Sequence, residues 1–250
     1  PCEQGGSVNF RTKQPQMESA HALQAGFGQH GRFRTEVDST GPLAQDAGLA
    51  YRFVGASENS DSFRDFVSSD RRFAAPSISW QPDDKLKVLG AVEFIRHEAP
   101  FDSGTAAVDG RFPLPRNRYL GEPDTGDTRI ESLTAALDAD YRWSPAWTGA
   151  VSLYWQETRL DGLRVEPVEL DVFEAEGPSA ILSREMFHEQ ETSKVFSAQV
   201  EVEGEFRTGV LQHRLLLGYE YDVIRDQTRL DVSDSYEQPY EIDIFDIHYG

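Results

Sequence analysis

Cysteine is almost absent. The 250 residues contain one, Cys2, so no intramolecular disulfide staples the chain. Long apolar runs are missing as well. No stretch of about 18 apolar residues exists, which excludes a transmembrane helix but not a membrane β-barrel, whose strands alternate and average out as hydrophilic. Positive charge is scarce: 24 Lys and Arg stand against 43 Asp and Glu, a formal net charge of −19. A chain this acidic repels phosphates, so no nucleic acid partner is expected. These residues show no signal-peptide pattern and no low-complexity tract, and they open on Pro1 rather than Met, so a processed chain or a fragment is expected.

Catalytic signatures are lacking too. Glu98 follows His97 and Glu189 follows His188, but Phe101 and Thr192 stand where a zinc-protease helix needs its second histidine. No nucleophile elbow and no phosphate-binding glycine loop occurs. The acids Glu122, Asp124 and Asp127, or Asp243 and Asp246, offer oxygen ligands for Ca²⁺ without the spacing of an EF-hand, and read as solvated loop faces. The expectation is a protein that is not an enzyme and has no cofactor.

What is present is alternation. In "LTAALDADYRW", Leu133, Ala135, Leu137, Ala139 and Tyr141 share one face and Thr134, Ala136, Asp138, Asp140 and Arg142 the other. Period two means strand. After "SPA" the pattern resumes with Trp147, Gly149, Val151, Leu153 and Trp155 opposite Ala150, Ser152, Tyr154, Gln156 and Thr158. The same pattern predicts strands over 21–29, 33–42, 49–57, 72–80, 86–96, 128–142, 147–160, 192–205 and 210–229.

Connection lengths alternate as well. "AQDA", "PDDK", "SPA" and "RTG" are tight turns, whereas 58–70, 97–127 and 161–191 read as long loops. A soluble sandwich has no reason to sort its loops by strand end. An outer-membrane barrel has one: short turns on the periplasmic side, long loops outside. The apolar faces from Leu133 and from Trp147 carry no charge before Glu157, as a hydrocarbon-facing band requires. Trp147 and Trp155 are eight residues apart, which at about 3.3 Å per residue and roughly 40° of tilt separates them by about 20 Å along the membrane normal, close to the spacing of two aromatic girdles.

Several stretches resemble the TonB-dependent siderophore receptors of Gram-negative outer membranes. "GGSVNFRTKQPQ", from Gly5, resembles the closing strand of that family's plug. "DSTGPL" from Asp38, "AYRFVGASENSDSFRDFV" from Ala50 and "APSISWQPDDKLKVLGAVEF" from Ala75 resemble its first barrel hairpins. "PFDSG" from Pro100 and "LPRNRYLGEP" from Leu114 resemble its third loop, and "TGVLQHRLLLGYEY" from Thr208 a later strand. "PCEQGG" departs from the family's Gly-rich approach to the first of these.

The resemblance implies an all-β, antiparallel transmembrane barrel, here about nine strands of an expected 22, preceded by the last strand of a plug. Residues 1–17 would end the plug and 18–250 begin the barrel, so this would be an internal piece of a longer receptor. It implies import of a ferric siderophore across the outer membrane, with energy from the TonB complex acting through the missing N-terminal part. The expected partners are thus siderophore, TonB and outer-membrane lipid. Candidate ligand residues are Tyr154 and Gln156 on the lumen face, high in the barrel, with Arg118 and Tyr119 in the long loop. Aromatic planes stack on chelate rings, and Arg pairs with carboxylates. Glu93 is expected to bond the plug, and Phe101 and Asp102 to anchor the loop. A passive porin-like channel or adhesin and a soluble carbohydrate-binding β-protein remain the alternatives.

Overall fold

A computed structural model of the protein describes residues 12–108, 110–173, 179–233 and 241–249. One antiparallel sheet contains β1 (Ala20–Phe27), β2 (Phe33–Ala44), β3 (Leu49–Asp61), β4 (Ser68–Trp80), β5 (Leu86–Ala99), β6 (Thr128–Ser144), β7 (Trp147–Phe173), β8 (Ser179–Thr208), β9 (Leu211–Val232) and the short β10 (Ile242–Asp243). Each of β1 to β9 pairs with its neighbour in the chain, while β10 joins the upper part of β8. The only helical piece among the described residues is a single turn at Pro123–Thr125. The sheet is open, a partial barrel: β1 and β9 each pair on one side.

Register carries the two-faced character from strand to strand. Leu137 lies opposite Leu153, which lies opposite Ala198, which lies opposite Tyr221. Ala139, Val151, Val200 and Tyr219 form the next row. These rows point away from the concave side and stay uncovered, with Val151 at 41% and Tyr219 at 71% exposure. So wide an uncovered apolar face is disfavoured in water and favoured in lipid. One residue along, Asp138, Ser152, Gln199 and Glu220 form a polar row on the inner face, and Ser152 Oγ donates to Asp138 Oδ1 at 2.7 Å.

The tight turns lie at one end of the sheet. In the β4–β5 turn, Asp83 Oδ1 accepts the backbone N–H groups of Lys85 and Leu86 at 2.8 and 2.9 Å, a side-chain substitute for a backbone turn. Gly48, at φ 65°, lets the β2–β3 turn touch the next one, where Gln81 N donates to its carbonyl. A Cβ at Gly48 would collide with the Gln81 backbone.

Two long connections differ from the sequence expectation. β3 and β4 extend to Asp61 and Ser68, which leaves only 62–67 as loop. The 161–191 segment is mostly strand: β7 and β8 stay paired from Asp161 opposite Gln190 up to Phe173 opposite Ser179. Pro167 is absorbed by a bulge between Pro167 and Glu169, so it bends the ladder without ending it. Gly177, at the expected loop centre, lies outside the described residues, as does Asp109. The 100–127 connection is a long loop, as expected.

Its packing was not expected. Leu114 and Leu120 from the loop, Ala180 and Leu182 from β8, and Ile242 and Ile244 from the last segment form a buried hydrophobic cluster beyond the wall. The β7–β8 hairpin rises past the wall because this cluster covers it.

Candidate functional site

The inner face and the outer loops form two candidate regions. On the inner face, a groove of about 560 Å³ runs between Lys13, Phe73, Ser77, Glu93, Tyr154 and Gln156. Tyr154 lies opposite Ala136 and Gln156 opposite Thr134, both inward by register. Tyr154 donates its hydroxyl to Gln156 Oε1 at 3.0 Å, and Gln156 Nε2 donates to Ser132 Oγ at 3.2 Å. The two side chains therefore form one polar patch. Its height differs from the sequence expectation. The wall that β7 shares with β6 ends at Asp161, seven residues or roughly 23 Å beyond Tyr154, about as far as Trp147 at the turn end lies below it, so the ring sits near mid-height in the lumen rather than near the mouth.

Residues 12–16 run against this face. Lys13 pairs with Asp38 at 2.7 Å, and the same carboxylate pairs with Arg52 at 2.7 Å. Arg52 also donates to the Gln14 carbonyl at 3.1 Å, Lys87 to Gln14 Oε1 at 3.2 Å, and Gln16 N to Thr40 Oγ1 at 2.9 Å. Glu93, expected to bond a plug, lines the groove near Lys13. Residues 1–11, with most of the plug-like motif, lie outside the described residues.

The outer loops are knit together by residues far apart in sequence. Arg184, buried on β8, donates to the carbonyls of Leu120 and Gly121 at 3.2 and 2.7 Å and pairs with Glu122 at 3.2 Å. Glu122, one of the acids weighed as a calcium ligand, is therefore committed to an arginine. A buried charge requires such partners. Arg64 pairs with Asp102 at 2.7 Å and donates to the Arg118 carbonyl at 3.0 Å. Asp65 and Asn117 exchange two hydrogen bonds. The Arg164 guanidinium lies over the rings of Phe101 and Phe187. Phe101 and Asp102 thus sit at loop anchors.

Tyr119 is corrected by its surroundings. The sequence offers it as a stacking plane for ligand, but the ring is only 2% exposed. Its hydroxyl donates to the Phe101 carbonyl at 2.9 Å, and its own carbonyl accepts from the Tyr249 hydroxyl at 2.8 Å. Burial, reinforced by the carboxylate of Asp102, pushes the Tyr119 phenol up to about 12. Burial also raises the Tyr249 phenol. Tyr119 is a loop-positioning residue, while Arg118 beside it is half-exposed. Sequence reasoning missed Arg184, Arg64 and Tyr249, because nothing in a local pattern marks an arginine or tyrosine whose partners lie more than 50 residues away.

A dry outward band, a polar inner face, tight turns at one end and a folded cap at the other define the wall of an outer-membrane β-barrel. No family model matches the chain. It is 35% identical over 249 residues to the metal-pseudopaline receptor CntO of Pseudomonas aeruginosa, covering 98% of this chain and 34% of that protein. It is 21% identical over 230 residues to the ferrioxamine receptor of Yersinia enterocolitica, covering 91% and 31%. Among solved structures, the siderophore receptor PiuA from Acinetobacter baumannii superposes with a TM-score of 0.76 at 17% identity, over 96% of this chain and 37% of that one. The chain spans about a third of the length of the curated relatives it matches. Over nearly all of its length the chain is thus similar to about a third of the TonB-dependent siderophore receptors of the Gram-negative outer membrane, in the part that forms their barrel wall.

Proposed function

We propose that this chain forms part of a receptor that imports a metal chelate across the outer membrane with energy from the TonB complex. The single observation that carries the reading is the 35% identity to a metal-pseudopaline receptor across nearly the whole chain. The inner face supports it. Residues 12–16 are bonded against the wall by Lys13, Gln14 and Gln16, as the last strand of a plug would be, and a plug is what a passive pore lacks. On this reading residues 1–17 end the plug and 18–250 begin the barrel. The cargo is a ferric siderophore or a related metallophore such as a metal-pseudopaline complex, and TonB engages a part of the receptor beyond this segment. Tyr154 and Gln156 line its descent at the inner wall. Arg118 meets it outside, its carbonyl held by Arg64.

The test is uptake. The complete receptor, expressed in cells lacking other receptors for the chelate, is expected to accumulate radiolabelled metal-pseudopaline or a ferric siderophore. Deleting TonB or collapsing the proton gradient should abolish accumulation. Uptake that persists without TonB would favour a passive channel.

A further inference from the structure

The lipid-facing side changes character just above its apolar rows. Glu157 on β7, Lys194 on β8 and Arg225 on β9 lie four residues, roughly 13 Å, beyond Leu153, Ala198 and Tyr221 on the same face. Register sets Glu157 opposite Lys194 and Lys194 opposite Arg225. Lys194 and Arg225 are like charges directly across a ladder, an arrangement that destabilises a sheet. An anion between them removes that penalty.

Glu157 does not fill this role. Its carboxylate accepts from Arg159 at 2.8 Å and lies 3.4 Å from Lys194 Nζ, on the β7 side. Three cations thus share one acid, and among the described residues no carboxylate pairs with Arg225. A second like pair on this face, Arg72 opposite Arg96, is relieved within the wall: Arg72 pairs with Asp70 and Arg96 with Glu98.

Lys194 and Arg225 also stand over an apolar groove. About 380 Å³ of space lies between them and Trp155, Phe196, Tyr221 and Val223, and no acid lines it. In a chain of net charge −19, that lining is a local reversal of sign. The groove opens sideways, on the face that the apolar rows turn to lipid, so its occupant arrives from the bilayer and not from the lumen. A free phosphate would answer the cations and leave the rings uncovered. A neutral lipid would do the reverse. A lipid with a phosphate head does both.

We propose that Lys194 and Arg225 bind the phosphate of an anionic outer-leaflet lipid, whose acyl chain lies along Phe196, Tyr221 and Val223 beside Trp155. Phosphate oxygens accept charge-assisted hydrogen bonds from both cations at once, and the groove takes the chain out of contact with water at the interface. This inference goes beyond the transport reading and needs only the wall's place in the outer membrane.

The experiment uses the complete receptor, purified in detergent and stripped of lipid. Retention of lipid A carrying its phosphates, and of the same lipid dephosphorylated, is measured by mass spectrometry of the intact complex. The wild type is expected to hold the phosphorylated form at least roughly tenfold tighter, with the preference shrinking as salt rises. Inorganic phosphate at the same concentration should not displace it. Lys194→Gln with Arg225→Gln should abolish the preference, whereas Trp155→Ala should weaken both lipids alike. Heat-modifiability on gels shows whether each variant is folded. If the double variant is not, Arg225→Gln alone is expected to cut the preference roughly threefold. A wild type without phosphate preference overturns the proposal, as does a folded charge variant that keeps the wild-type preference. Displacement by inorganic phosphate at that concentration also overturns it, since the groove would then contribute nothing.

Discussion

Tyr119 and Phe101 stand 18 residues apart in the chain and meet at 2.9 Å, phenol hydroxyl to backbone carbonyl, inside the folded 100–127 loop. The contact closes the loop on itself, with the Phe66 ring 6.3 Å from the Tyr119 ring.

Tyr119→Phe is therefore expected to leave the barrel assembled and to loosen the loop. The Phe101 carbonyl loses a buried partner, at a cost of about 1–2 kcal/mol. Hydrogen exchange across 100–127 in the complete receptor should rise about tenfold. The phenol also sets an alkaline limit. Its pKa is raised on folding, so its contribution is complete below the ordinary tyrosine value of about 10 and is lost as pH rises from there through about 12. Alkaline loosening of the loop that persists unchanged in the Phe variant would contradict this assignment.

Asp83 gives the opposite sign at the other end of the wall. The N–H groups of Leu86 and Lys85 hold its carboxylate below the usual range. The stabilising contribution is present above the unfolded value of about 3.9 and disappears as pH falls through the folded value. Amide exchange at Lys85 and Leu86 should accelerate in acid. The neighbouring 145–146 turn, where Ala146 N donates to the non-titrating Ser144 Oγ, serves as control. Equal acid sensitivity in both turns would remove Asp83 as the cause.

The wall's two faces are separable by a one-residue step. Val151→Arg places a charge among lipid tails and should cost roughly 2–4 kcal/mol. Ser152→Arg turns inward, toward Asp138, and should cost much less. Folding titrations of the receptor in bilayers would show the difference, and similar costs would refute the register.

Glycine makes room for the indoles near the turn end. Trp147 lies over Gly204 and Trp143 over Gly149, where an added Cβ would strike the rings. Gly204→Ala should displace Trp147 from its stack with Phe206, whose ring is 6.5 Å away, at a cost of about 1–3 kcal/mol. Heat-modifiability on gels should shift to lower temperature, and Trp fluorescence should change. A variant with wild-type behaviour in both would mean that the ring relocates freely.

At mid-height in the lumen, Tyr154→Ala and Gln156→Ala are each expected to weaken chelate binding by about 1–2 kcal/mol, roughly tenfold. Assembly should be normal. Unchanged affinity would assign the pair to packing against the plug.

The wall was legible in the sequence because its information is local. Alternation from Leu133 to Tyr141 and from Trp147 to Trp155 fixes face and register together, and both match the pairing of β6 with β7. The upper hairpin was not legible. Residues 161–173 are rich in acids and carry Pro167, so they read as loop, yet β8 pairs with them throughout, interrupted only by the bulge after Pro167. The inward facing of Tyr154 and Gln156 was readable from alternation, but their height depended on where the pairing of β6 with β7 ends. Tyr119 looked like a free ring because its burial depends on Phe101, Phe66 and Tyr249, none adjacent to it in sequence.

The cluster around Leu114, Leu120, Leu182 and Ile244 gives the chain two solvents. The wall's apolar rows gain by contact with lipid, whereas the outer cluster gains by escape from water, a driving force that fades on cooling. Chilling should therefore soften the cap while the wall holds, and stripping lipid should weaken the wall while the cap holds. One polypeptide thus carries two thermal responses, joined along the ladder between β7 and β8.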